Sequence, residues 1–148
     1  MIGSYGLLGD CRTAVLSGPD GSIDWWCLPR FDGEPVFARL LAGDRDGGCF
    51  RLQPAGSDVE LVSREYMAGT PILTTTWRVG AGELTLSEGL VGDVSGRLLP
   101  TELLVRRLCA TGSAVDVQVL FDPRHGADRR APSAAELWCA PGRRRRWR

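Results

Sequence analysis

The chain contains no lysine and no asparagine, and its one histidine is His125. All 18 basic residues are therefore arginine. Joint loss of the residues whose codons are AT-rich points to a GC-rich coding sequence, not to a function. A single histidine, with five cysteines in no C-x-x-C pair, leaves no paired spacing for a zinc site. The odd cysteine number argues against a closed disulfide framework and for a reducing compartment, so a cytoplasmic location is expected. Cys11, Cys27, Cys49 and Cys109 sit among apolar residues and read as small buried hydrophobes. No apolar run reaches the roughly 20 residues of a membrane span. The start lacks a basic segment followed by an apolar one, so no secretory leader is expected. Gly3, Gly6 and Gly9 are irregularly spaced and precede a strand, which does not fit a phosphate-cradling loop.

What the chain has is a mosaic of short alternating segments. Its 148 residues suffice for one core. Residues 12–17 and 23–28 flank Pro19-Asp20-Gly21-Ser22, a turn in which proline pre-sets φ and glycine supplies a positive φ. Further strands are expected over 49–53, 59–66, 72–79, 83–88, 101–111 and 114–121. One short helix is expected over 36–42, where Phe37, Leu40 and Leu41 have helical spacing, followed by a turn over 44–48. The glycine-rich stretch 89–100 reads as a connection. Short strands at about ten-residue spacing imply an all-β fold, an antiparallel β-sandwich.

Charge divides the chain. Up to Pro123 there are 10 arginines against 16 acids, and from Arg124 onward 8 against 2. An acidic body gives no footprint for nucleic acid. We set apart 1–123 as the sandwich domain and 124–148 as a basic tail expected to be disordered; a phosphate-binding arm is the minor alternative for the tail.

Adjacent strand residues point to opposite faces, so Trp25 and Trp26 cannot both enter one core. Pro29 ends that strand, and Arg30-Phe31-Asp32-Gly33 turns. Trp25, Trp26, Arg30, Phe31 and Asp32 are the candidate contact residues, because tryptophan and arginine concentrate at interface hot spots. Asp24 and Asp32 are alternatively structural, pairing with Arg12 or Arg30.

The run from Ile2 to Ala14, with Gly9-Asp10-Cys11-Arg12-Thr13-Ala14, and the run Asp20-Gly21-Ser22-Ile23-Asp24-Trp25-Trp26-Cys27-Leu28-Pro29-Arg30-Phe31-Asp32 together resemble the start of bacterial family-15 glycoside hydrolases, the glucoamylase-like and trehalase-like enzymes. The likeness weakens through Arg64-Glu65-Tyr66 and Phe121-Asp122-Pro123. It implies the N-terminal β-sandwich, part of a larger supersandwich, that precedes an (α/α)6 catalytic barrel. That family inverts, using two barrel glutamates, and nothing here matches them. The resemblance thus implies a non-catalytic domain without cofactor or metal, whose partner is the absent barrel and whose parent substrate is an α-glucan or trehalose. A free carbohydrate-binding module using Trp25, Trp26 or Trp77 is the alternative; a nucleic-acid binder ranks below it. Strand edges left without their partner layer are expected to promote self-association.

Overall fold

The computed structural model describes residues 2–94, 96–124, 136–139 and 143–146. After a 3₁₀ turn (Ile2–Ser4) come β1 (Gly6–Gly9), β2 (Ala14–Ser17), β3 (Ser22–Leu28), β4 (Glu34–Phe37), α1 (Arg39–Asp46) and β5 (Cys49–Pro54). Then follow β6 (Val59–Tyr66), β7 (Leu73–Val79), β8 (Gly82–Val94), β9 (Arg97–Thr111) and β10 (Val117–Asp122). The first sheet runs β1-β2-β3-β5-β10, with β4 added to β3; the second is the meander β6-β7-β8-β9. All these pairings are antiparallel. Two short strands, β11 (Glu136–Cys139) and β12 (Arg143–Arg146), pair with each other. The rest of the expected tail beyond Arg124 lies outside the described residues.

The two sheets face each other across two apolar clusters. In one, Leu8, Val15, Ile23 and Phe37 of the first sheet meet Leu73 and Leu90 of the second. In the other, Leu52 meets Trp77, Leu84 and Leu86. The alternation read from 72–79 and 83–88 is real: Leu73, Thr75 and Trp77 are buried on β7, and Leu84, Leu86, Glu88 and Leu90 on β8. Side chains from β6 also cross the gap. Tyr66 Oη bonds both backbone groups of Leu7 at 2.8 Å, and Arg64 reaches the carbonyls of Ser4 and Ser17.

Four expectations need correction. The helix starts at Arg39, not Val36, because Phe37 is held in β4 opposite Trp26. Residues 44–46, expected as turn, belong to the helix, which Gly43 interrupts at φ 74°. Leu41 is 76% exposed, so its spacing marked no core face. The stretch 89–94 is strand, not connection, with Leu90 in the core. Its glycines serve close packing: a Cβ on Gly92 would sit 3.2 Å from that of Asp10, and one on Gly89 would touch Ile72. Finally, of the cysteines expected to be buried, Cys27 and Cys49 are, but Cys11 and Cys109 are exposed.

Candidate functional site

The β2–β3 turn is built from its own side chains. Asp20 Oδ1 accepts the Ser22 amide at 3.2 Å and its hydroxyl at 2.5 Å, while Gly18 N–H donates to the Ser22 carbonyl at 2.7 Å. Pairing then shifts between Leu16 and Ser17, so that Ile23 faces Ser17 and Trp26 faces Val15, with Asp24 as the extra residue. This bulge brings Ile23 and Trp26 to one face although they are three apart. Asp24 is fully buried and accepts from Tyr5 Oη at 2.7 Å, Ser22 Oγ at 2.9 Å and Arg39 Nε at 2.7 Å. Burial would raise Asp20, yet the Ser22 bond and the charges of Arg39 and Arg51 hold its carboxyl below the usual range. Burial likewise works against the Arg39 charge, but the Asp24 contact prevails and raises its pKa.

The adjacent indoles part company as the pleat requires. Trp26 is half-buried on the face between the sheets, stacked on Phe37 with ring centroids 6.4 Å apart. Its Nε1 is buried without a hydrogen-bond partner. Trp25, opposite Leu16, is also half-buried.

Beyond the strand, the Leu28–Pro29 bond is cis and the loop closes by Gly33 N–H donating to the Arg30 carbonyl at 2.9 Å. Phe31 N–H reaches the Arg12 carbonyl at 3.3 Å, tying this loop to the β1–β2 turn. In that turn Asp10 Oδ1 accepts the amides of Arg12 and Thr13, both at 2.9 Å, and Cys11 takes φ 69°. Cys11, Arg12, Pro29, Arg30 and Phe31 line one open depression, from which Phe31 projects 67% exposed. Arg30 Nε grips Asp32 Oδ1 at 3.0 Å, and this hydrogen bond lowers the Asp32 pKa. Arg12 instead pairs with Glu102 of β9 at 2.9 Å.

The structure thus joins Arg30, Phe31 and Asp32 in one exposed loop and sets Trp25 and Trp26 on opposite faces of the strand before it. The sequence reading missed Cys11 and Arg12 as part of the same rim; their turn touches the loop only through folding. Of the structural pairings considered, Asp32–Arg30 forms, whereas Asp24 binds Arg39 and neither Arg12 nor Arg30.

A second buried acid of the sandwich is equally occupied. Glu88, 1% exposed, accepts from Arg106 Nε at 2.9 Å and Ser17 Oγ at 2.8 Å. Among the described residues, no three His, Cys, Asp or Glu side chains converge as metal ligands would. Nor is any described helix long and apolar enough to cross a membrane.

Comparison with known proteins adds three findings. Residues 1–129 match the family model described as trehalase-like, N-terminal. Over 90 residues the chain is 43% identical to a trehalase of Mycolicibacterium smegmatis, covering 61% of this chain and 13% of that protein. Over 129 residues it is 30% identical to a trehalase of Thermoplasma volcanium, covering 84% of this chain and 20% of that protein. The chain therefore matches only a fifth or less of these relatives' length, in each case their N-terminal part. No solved structure matches it.

Proposed function

The chain belongs to the trehalase-like N-terminal domain family, and from that premise we propose that it is a supporting, non-catalytic domain of a trehalase-like or glucoamylase-like hydrolase of family 15. The observation that carries this reading is the occupation of its buried carboxylates. Inverting glycoside hydrolysis needs one acid and one base roughly 6.5–9.5 Å apart, flanking an open sugar site. Here Asp24 is held by Tyr5, Ser22 and Arg39, and Glu88 by Arg106 and Ser17. These acids are buried, and their bonds serve the assembly of the sandwich.

The work left to the domain is contact. Phe31, backed by Arg30 and Asp32, offers an exposed aromatic beside a shallow rim. A helical catalytic barrel, the remainder that the family-15 resemblance implies, is the partner this rim fits; the indoles Trp25 and Trp26 stiffen the strand that presents it. The substrate class of the whole enzyme is an α-glucoside, with trehalose favoured by the names of both relatives, and its compartment is the cytoplasm.

The test is hydrolysis by the purified chain. No glucose is expected from trehalose or maltooligosaccharides. Turnover that survives removal of contaminating hydrolases would overturn the reading. Saturable binding of glucan by the isolated chain, lost on Phe31→Ala, would favour a free carbohydrate-binding module instead.

A further inference from the structure

We propose that the chain associates with a second copy of itself, edge to edge, through the free side of β9. Among the described residues β9 pairs with β8 alone, and no backbone hydrogen bond outside that ladder reaches 101–111. Its pairing with β8 is regular from Leu103 to Thr111. The edges β1, β10 and β6 are shorter or less regular than β9. β1 is four residues long and β10 six. β6 shifts register between Leu61 and Ser63 and carries Glu60, Arg64 and Glu65. The long, unbroken edge of β9 has only Arg107 as an exposed charge between 102 and 111.

That edge is also apolar on the outer face of its sheet. Leu103 and Val105 are each 45% exposed. They lie opposite Val91 and Gly89 of β8, and Gly89 opens onto Ile72. An apolar band therefore crosses the outer face and ends at the unpaired edge. Exposed apolar strand edges of this kind recruit another strand.

The sequence of β9 selects its own copy as the occupant. A continued sheet must keep inner residues with inner and outer with outer, so registers two residues apart compete. In the antiparallel register that places Leu104 opposite Leu104, Leu103 falls opposite Val105 twice and Glu102 opposite Arg106 twice. No two arginines meet. Sliding by two residues' worth of pairing sets Leu103 against Arg107 one way and Leu104 against Glu102 the other. Of these registers one is thus matched in polarity, setting no apolar residue against a charged one while Glu102 and Arg106 stay with Arg12 and Glu88, and it carries a two-fold axis through the Leu104 pair. Edge pairing with one narrow band buries less than the about 1,200–2,000 Å² of a standard interface, so a dissociation constant in the micromolar range is expected.

The test is sedimentation across micromolar to hundreds of micromolar chain, with reductant present so that exposed Cys109 cannot link copies. The wild-type chain is expected to shift from monomer to dimer. Leu103→Lys with Val105→Lys sets like charges opposite one another and leaves a monomer; Leu103→Glu with Val105→Glu does the same. Mixing these two variants restores a one-to-one dimer. Val105→Lys alone, a single exposed change, keeps the test sharp if the double variants fold poorly, and is expected to raise the dissociation constant at least tenfold, as roughly 1.4 kcal/mol would. A wild-type chain that stays monomeric throughout, or lysine variants that dimerise unchanged, would overturn the proposal.

Discussion

Glu88 Oε1 and Arg106 Nε lie 2.9 Å apart in the interior between the sheets, with side chains 0% and 2% exposed. Arg106 spends its other donors on the carbonyls of Phe50 and Gly21, and its guanidinium lies 4.6 Å from the centre of the Phe50 ring. Through one side chain the second sheet is thus bound to β5 and to the β2–β3 turn of the first. Burial pushes the Arg106 pKa down, and the charge of Glu88 opposes that. Removing one member strands a buried charge. Arg106→Met is expected to cost about 3–5 kcal/mol in urea unfolding, and Glu88→Gln a comparable amount. Glu88→Gln combined with Arg106→Met should cost clearly less than the sum of the two. Strictly additive losses would show that the two do not act as a pair.

Two aromatic residues of the candidate surface should separate stability from contact. Trp26 stacks on Phe37 in the first apolar cluster, while Phe31 stands in solvent. Trp26→Ala is expected to destabilise by about 3 kcal/mol, near the lower end for a large aromatic lost from a core because Trp26 is only half-buried. Phe31→Ala should move the unfolding midpoint by no more than about 0.5 kcal/mol. A large loss from Phe31→Ala would assign that ring to the fold and remove it from any docking rim.

How far the fold could be read depended on whether each signal was local. The β2–β3 hairpin was legible because turn chemistry and apolar runs lie within fifteen residues. So was the inward stripe of β7 and β8, where polar Thr75 and Glu88 nevertheless share the buried face with Leu73 and Leu86. What failed was information that exists only between elements. Nothing near Glu88 in sequence indicates that Arg106 will lie beside it, because their meeting depends on β8–β9 register. Gly92 looked like loop material, but it is small because Asp10 packs against it. Phe37 had helical spacing, yet its partner Trp26 held it in a strand. The loop of Arg30, Phe31 and Asp32 was visible from its proline and glycine; the neighbouring Cys11 and Arg12 were not, since the Phe31–Arg12 backbone bond joins two separate turns.

Gly21 tests the strictness of the turn that opens β3. It adopts φ 71°, and a Cβ there would collide with the Leu52 carbonyl. Its own carbonyl accepts the Leu52 amide at 2.9 Å, so the turn is fastened to β5 at the same place. Gly21→Ala therefore combines a positive-φ penalty of about 1 kcal/mol or more with displacement of β5. A loss above about 2 kcal/mol is expected, with the change visible in the near-ultraviolet signal of Trp77, whose Nε1 donates to Pro19 in the same turn at 3.3 Å. Gly80→Ala is the control: it shares the positive φ, at 58°, but a Cβ would meet nothing within 4 Å. Equal losses at the two positions would mean that backbone conformation alone sets the penalty.

Tyr5 gives the fold an alkaline limit with a defined sign. Burial first, then the hydrogen bond it donates to Asp24 and the charge of that carboxylate, push its phenol up from 10 to about 12, with Arg39 acting in opposition. The folded state therefore holds this proton more tightly than the unfolded chain does. The resulting stability is complete below pH 10 and is lost as pH rises through about 12. Burial raises Cys27 and Cys49 as well, and their contributions carry the same sign, so the informative quantity is a difference between proteins. Tyrosinate absorbance should show a component titrating near 12 in the wild-type chain that Tyr5→Phe removes. The variant should be less stable at neutral pH, where Asp24 loses a donor, and the gap should narrow between pH 10 and 12 as the wild type alone forfeits its contact. A gap that stays constant across that window would mean that the phenol proton is no part of what holds Asp24 in place.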